Sequence, residues 1–494
     1  MRVELNPNNI DDYRLFLRIK ALPQFSFTGR TALFPDEYAN LLGEKADRKR
    51  VKKYVPLPAL FDYQSGVSKI AIAKQKFAVF MRCGLGKTLV MTEYFRHVES
   101  LMPKGRCGLI VSPLMVVQQT LEEAKRFYGD RLLIEQVRAK DLPAWITSPK
   151  SRLGITNYEA ITDALPKQNR LFAMALDESS LLKSHYGKWG NRLIDLGRGL
   201  DWKLCLTGTP APNDRIEYAN HAVFLDHFPT VNAFLARFFV NRGQTDNRWE
   251  LKPHALKPFY RALSHWCIFL NNPATYGWKD NTDAIPPIEV TIHDVDLTEE
   301  QQSAAQQSSG ALFAMAGGIT SRGKLAQIAK GRHNGKDIET RKPEFIRQLV
   351  SQWPNESIII WCKYNAEQDS IAAQFPNCAN IDGSTPEEKR IELIRDFQAG
   401  RRKELVSKPK ILGFGLNLQV ATQMVFSTCQ DSYEEYAQAV ARANRVGSTR
   451  PLHVHIPITD IERPMVETVL RKARMVDDDT REQEAIFKEF AYVN

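Results

Sequence analysis

What this chain has little of narrows its possibilities before any motif is read. Cysteine is sparse: Cys83, Cys107, Cys205, Cys267, Cys362, Cys378 and Cys429 are scattered along 494 residues. None forms a CxxC pair and several fall inside apolar, strand-like runs. That excludes a disulfide framework or a zinc ribbon and points to small buried hydrophobes in a reducing compartment. His453 and His455 alternate along a strand-like run with no cysteine near, so core or solvent-facing histidines are expected rather than ligands. No apolar run approaches the roughly 18 residues of a membrane span, and the N-terminus lacks the charged-then-apolar pattern of a leader. A soluble, intracellular protein is expected, with the cytoplasm as its compartment and no membrane partner. No repeat of solenoid period is present. Charge of a single sign is also absent: 67 Lys+Arg stand against 57 Asp+Glu, a net +10. This mild basic surplus favours a polyanionic partner without specifying one. The length exceeds what one core usually supports, so two or three domains are expected.

What is there begins with Gly84-Leu85-Gly86-Lys87-Thr88. This run follows the apolar stretch Phe77–Met81 and precedes a helical-looking stretch from Leu89 to Glu99, the strand–loop–helix context of a phosphate-binding loop. Glycines let backbone N–H groups converge on phosphate oxygens, and the helix N-terminus adds its positive dipole end. Lys87 would reach the β- and γ-phosphates, and the Thr88 hydroxyl would hold Mg²⁺. Further on, the strand-like run Phe172–Leu176 ends in Asp177-Glu178. Such a pair can set one carboxylate on Mg²⁺ and the other on the attacking water. Next come the apolar strand and polar turn of Leu204–Pro210, then Gly413–Gln419, then Gln438 to Gly447. On a helix Gln438, Arg442 and Arg445 fall at i, i+4 and i+7 and share one face. The two arginines could stabilise a transferring phosphoryl group; a solvated basic face is the other reading.

In this order the motifs resemble those of superfamily-two helicase-like ATPases, specifically the Swi/Snf type of double-stranded DNA translocase. Four wordings carry the resemblance. GLGKT is one. DESSLLKS (Asp177 to Ser184) is similar to DEGHxxKN, with Lys183 in the lysine place. GFGLNLQ followed by Ala421 is similar to GLGLNL-x-x-A, and QAVARANRVG to QAxxRxxRxG. The likeness runs from about Leu60 to about Pro457. It implies Lys87, Asp177, Glu178, Arg442 and Arg445 as catalytic residues. It implies an ATP site of Gln64 (reading the adenine edge), Gly84, Leu85, Gly86, Lys87, Thr88, Gly415, Asn417 and Gln438, with Mg²⁺ on Thr88 and Asp177. DNA contacts are expected from Ser112, Pro113, Thr207, Gly208, Lys363 and Thr385, the last in the turn Ile381–Thr385, and Ile155–Tyr158 resembles a further contact motif of the first lobe. The chain departs from the pattern at Ser180, Asn444 and Ser448, where the family carries His, often His, and Gln. The first departure touches the coupling between the ATP site and Thr207-Gly208-Thr209. None removes a group needed for phosphate, Mg²⁺ or water, so hydrolysis is expected to survive.

The resemblance and the alternation of apolar and helical runs predict an α/β protein of two tandem RecA-like lobes, parallel sheets covered by helices. Residues 1–50 would form an N-terminal extension, and the basic run Arg48–Lys53 across its boundary is read as a solvated linker or a phosphate contact. Residues 51–210 would be the ATP-binding lobe. Residues 211–285, dense in phenylalanine, would be a helical protrusion and linker whose aromatics form a small core of their own rather than a base-stacking platform. Residues 286–494 would be the second lobe with a C-terminal helical brace. The implied activity is an ATP-hydrolysing motor that couples lobe closure to movement along double-stranded or branched DNA, acting as a monomer and able to meet DNA-bound proteins. A strand-separating DNA or RNA helicase is the alternative. The compact form, without accessory chromatin-reading segments, suggests a bacterial or phage enzyme.

Overall fold

The apolar runs along the chain are long and continuous rather than alternating, the pattern of strands buried on both faces of a parallel sheet. A computed structural model of the protein describes Met1 to Phe490 apart from residues 23–24, 35–37, 40–41, 44–52, 183–187, 212–213, 244–248, 280–284, 314–318, 413–415, 430–432 and 446–447. Most of the basic run and Lys183 therefore lie outside the described residues. The chain divides into two units, Met1–Asp280 with Asp479–Asn494, and Asn281–Asp478.

The first unit holds a sheet of seven parallel strands. In spatial order these are Cys267–Leu270, Lys76–Met81, Trp202–Thr207, Leu171–Asp177, Cys107–Ser112, Leu153–Asn157 and Glu135–Gln136. Parallel strands need crossover connections, and the helices Lys87–Leu101 and Leu114–Tyr128 lie in two of them, each joining strands that are not neighbours in the sheet. Register decides what meets at the strand tips: Phe80 pairs with Thr207, Asp177 with Leu206, and Val111 with Leu176. The ends that carry the phosphate loop, the acidic pair and Thr207 are thereby neighbours.

The structure draws one boundary differently from the sequence reading. Helices form in 211–285 as expected, at Tyr218–Phe224, Val231–Phe238 and Leu256–Ser264. The chain then returns to the sheet, where Cys267–Leu270 pairs parallel with Lys76–Met81. This segment is part of the first unit. Four residues, CIFL, between aromatic-rich helices are too few to show a periodicity. The phenylalanines do build a core, and it is continuous with the sheet. Phe80 packs on Tyr218 at 5.7 Å and on Phe269 at 5.3 Å, and the contacts continue through Phe259 to Phe234 and Phe228. The N-terminal extension is a three-stranded antiparallel sheet with the helix Ile10–Lys20 and its own core of Ile19, Leu22, Phe34 and Tyr38. It is fastened to these helices: Arg237 donates to the Leu22 carbonyl at 3.0 Å, and Tyr38 meets His265 edge-on.

The second unit has six parallel strands, ordered Ile288–Asp294, Leu452–Ile458, Ala421–Phe426, Ser357–Trp361, Glu404–Ser407 and Ala379–Ile381. Alternate residues of Ser357–Trp361 serve opposite cores, Ile359 and Trp361 on one face, Ile358 and Ile360 on the other. The last helix, Arg463–Phe490, begins in this unit, but from Asp479 on it groups with the first. There the buried Glu484 accepts from the backbone N–H of Asn271, just past the edge strand, at 2.5 Å. The C-terminal brace is thus not wholly an appendage of the second lobe. No helix among the described residues is long and apolar enough to cross a membrane.

Candidate nucleotide-binding site

Beyond Met81 the chain turns through Gly84 (φ 92°) and Gly86 (φ 81°) before the helix that starts at Lys87. Both glycines occupy the left-handed region, which a side chain disfavours. A Cβ at Gly86 would also lie 2.4 Å from Nε2 of Gln64, so that amide would have to move off its present partner. Gln64 itself, expected to read adenine, is buried with its amide engaged by protein: Nε2 donates to the Leu85 carbonyl at 2.9 Å and Oε1 accepts from Phe61 N–H at 3.1 Å. Tyr63 donates to the same carbonyl at 3.0 Å. In this structure the glutamine fastens the start of its helix to the phosphate loop. Lys87 Nζ donates to the Met81 carbonyl at 3.0 Å and lies 3.8 Å from the Cys83 sulfur. Gly208, from the neighbouring strand tip, approaches so closely that a Cβ would meet Cys83 at 2.9 Å and Lys87 Nζ at 3.4 Å.

The acidic pair is the most constrained part of the site. Asp177 is buried and its Oδ2 accepts from the Ser112 hydroxyl at 2.9 Å, while Tyr158 donates to its carbonyl at 2.7 Å. Burial, then the neighbouring Glu178 charge, push its carboxyl up to about 6, against the pull of Ser112 and Lys87. An ionised carboxylate this poorly solvated gains from a cation beside it, so the donor chemistry of Asp177 with Thr88 fits a divalent ion. Glu178 has φ 56°, a left-handed backbone that costs a side-chain-bearing residue roughly 1–2 kcal/mol. Its Oε1 accepts from Thr207 Oγ1 at 2.7 Å and from Ser180 Oγ at 3.2 Å. Thr207 Oγ1 in turn accepts from Thr209 N–H at 3.1 Å. Ser180, which stands where the family carries histidine, thus still contacts the glutamate.

Several expected DNA contacts turn inward here. Ser112, Pro113 and Thr207 are buried, and both hydroxyls are committed to the acidic pair because register sets each strand tip beside it. Tyr158, in the second expected contact motif, is likewise buried. Gly208 lies against the phosphate loop. In the second unit Lys363 is half-buried and 3.7 Å from Glu435, and Thr385 donates to Asp382 at 2.9 Å inside a tight turn.

The second unit brings its two signature segments together. Leu418 N–H donates to the Arg442 carbonyl at 2.9 Å, and Gln419 Nε2 to the Arg445 carbonyl at 3.4 Å. Asn417 Oδ1 accepts from Gln419 N–H at 3.1 Å, holding that turn. Gly415 lies outside the described residues. One helical reading is corrected: the helix Tyr433–Ala443 ends before Arg445, so Gln438 and Arg442 share it and Arg445 does not. Ser448 ends it, donating to the Ala443 carbonyl at 2.9 Å and accepting from Arg445 N–H at 3.2 Å. Gln438 is buried, whereas Arg442 and Arg445 are half-buried. Asn444 donates to the Pro286 carbonyl at 2.8 Å, so both departures in this motif have structural partners.

Sequence reasoning missed Glu367. This buried carboxylate accepts from the backbone N–H groups of Lys363 and Tyr364 at 2.9 and 3.2 Å, and from the hydroxyls of Ser427 and Thr428 at 2.6 and 2.5 Å. It ties the loops at two adjacent strand ends. A glutamate three residues into a helix, after a strand run, is the capping signal that could have found it.

Residues 81–357, more than half of the chain, match the model of the SNF2-related domain, and residues 341–447 match the helicase conserved C-terminal domain. The chain belongs to the SNF2-related family. Among the relatives of this SNF2-related chain, the ATP-dependent helicase fft1 of Schizosaccharomyces pombe is 33% identical over 150 residues, 29% of this chain and 16% of that protein. The ATP-dependent DNA helicase DDM1 of Arabidopsis thaliana is 23% identical over 429 residues, 75% of this chain and 55% of that one. The chain therefore matches about half the length of these curated relatives or less. A solved SWI2/SNF2 ATPase core from Sulfolobus solfataricus in complex with dsDNA is similar at 19% identity and a TM-score of 0.41, over 89% of this chain and 97% of that one.

Proposed function

We propose that the protein is a DNA-dependent ATPase that moves along double-stranded DNA, remodelling DNA structures or displacing proteins bound to them. The observation that carries this reading is Glu178, held in a left-handed backbone beside the phosphate loop with Thr207 on its carboxylate. A residue kept in an unfavourable conformation by its surroundings is characteristic of a functional site. Lys87 holds the β- and γ-phosphates, Glu178 orients the attacking water, and Thr207 links that carboxylate to the next strand. Mg²⁺ on Thr88 and Asp177, when bound, supplies positive charge to the phosphate oxygens. Arg442 and Arg445 are proposed to stabilise the transferring phosphoryl group when the two units close on nucleotide, which makes closure the gate of the cycle. The family membership and the relative named a DNA helicase support DNA as the activator.

The test is ATPase rate against a panel of nucleic acids. Double-stranded or branched DNA should stimulate more than single-stranded RNA, with stimulation falling as salt rises. Stronger activation by RNA would defeat the reading, and strand displacement of a duplex would move the protein to the strand-separating class. Lys87→Ala should abolish hydrolysis. Glu178→Gln should retain nucleotide binding and slow turnover by about 10²-fold or more.

A further inference from the structure

The loop that follows the acidic pair is gripped from a direction the phosphate chemistry does not account for. The helix Tyr218–Phe224, downstream of Thr207-Gly208-Thr209, presents His221 to it, fully buried. His221 Nδ1 lies 3.3 Å from the Glu217 carbonyl, and Nε2 lies 3.0 Å from the Ser179 hydroxyl. A carbonyl only accepts, so Nδ1 carries a proton, and in the neutral ring Nε2 then accepts from Ser179. Burial keeps the ring neutral, holding His221 down to about 4. Phe80 meets the ring edge-on at 5.2 Å, which keeps it from rotating. The preceding residue of the same helix, Asn220, donates to the Leu182 carbonyl farther along the loop. Ser179 is the residue immediately after Glu178.

We infer that His221 and Ser179 are positioning residues for hydrolysis: the Ser179–His221 hydrogen bond holds the backbone after Glu178 in place, so that its carboxylate stays on the side of the bound nucleotide. Glu178 has two restraints on its carboxylate, Thr207 and Ser180, and both act beyond the side chain's own rotatable bonds. The hydrogen bond from Ser179 acts on the main chain, where the left-handed conformation must be maintained. It also joins the loop to the helix that continues from the Thr207 strand, so both sides of the acidic loop depend on one segment of chain.

This inference rests on the proposed role of Glu178, and the experiment separates the two. DNA-stimulated turnover and nucleotide binding are measured in wild type, Ser179→Ala, His221→Gln, His221→Ala and the Ser179→Ala/His221→Ala double variant, with thermal unfolding on each. Ser179→Ala changes little volume but also removes the hydroxyl's contact with Cys205, so agreement with the His221 variants is what isolates the hydrogen bond. Turnover in Ser179→Ala and His221→Ala is expected to fall by roughly 10- to 100-fold, the scale of a small misplacement of a reacting group, with nucleotide affinity within about 2-fold of wild type. His221→Gln, whose amide oxygen can accept from Ser179, should recover most of the turnover. The double variant should be no slower than the slower single, since both remove one bond. Full turnover in Ser179→Ala, or losses that multiply in the double variant, would overturn the inference. A wild-type protein without nucleotide hydrolysis would instead remove the reading of Glu178 on which it stands.

Discussion

Gly86 and Gln64 show how much of this site is set by single atoms. Gly86→Ala would drive a methyl group into the Gln64 amide and strain a left-handed turn, so nucleotide affinity should fall by about 10-fold or more, measurable by titration with a fluorescent ATP analogue. His221 gives a pH signature at the same scale. Its ordinary value of 6.5 is lowered to about 4 by burial. The unfolded chain therefore takes up a proton as pH falls below about 6.5, while the native ring refuses it until about 4. Stability contributed by the neutral ring is full above that window and is lost on acidification through it, up to about 3 kcal/mol. Urea unfolding at pH 7 and pH 4.5 should show a smaller acid loss in His221→Gln than in wild type. The grouping of the candidate site's residues at neighbouring strand tips was legible, because phosphate chemistry would call for those residue types in a fixed order. Their partners were not: that Ser112 and Thr207 serve the acidic pair follows from strand register, which no local spacing encodes.

At the scale of elements, strands buried on both faces announced themselves as runs such as Phe77–Met81, and the parallel sheets followed. Elements too short for a period stayed hidden, as Cys267–Leu270 did, and the early end of the helix at Ala443 depends on a side-chain cap from Ser448 rather than on any breaker. Glu367 is the strongest test of how the second sheet's loops are held. Removing a carboxylate that accepts from two backbone N–H groups and two hydroxyls leaves buried donors unmade. Glu367→Ala should destabilise the second unit by about 3 kcal/mol or more, read by chemical denaturation. Glu367→Gln should cost less, because the amide keeps an acceptor and the hydroxyls can reverse their roles.

For the whole molecule, Gln64, Lys87, Thr88 and the acidic pair all belong to one unit, and Arg442 and Arg445 to the other. Arg442→Ala or Arg445→Ala should accordingly spare nucleotide affinity while lowering DNA-stimulated turnover by about 10³-fold, the scale of an arginine finger. Binding and hydrolysis measured on one preparation would check this, and full activity in both variants would leave the arginines as a solvated basic face.

The last helix adds a consequence in time. A ribosome releases Asn271 long before Glu484, its hydrogen-bond partner 213 positions later. The first lobe, although nearly all of it is made early, cannot seal its edge until synthesis has passed Glu484. A nascent chain stalled after residue 478 should therefore carry a first lobe that proteases open near Asn271, and release of the remaining residues should close it.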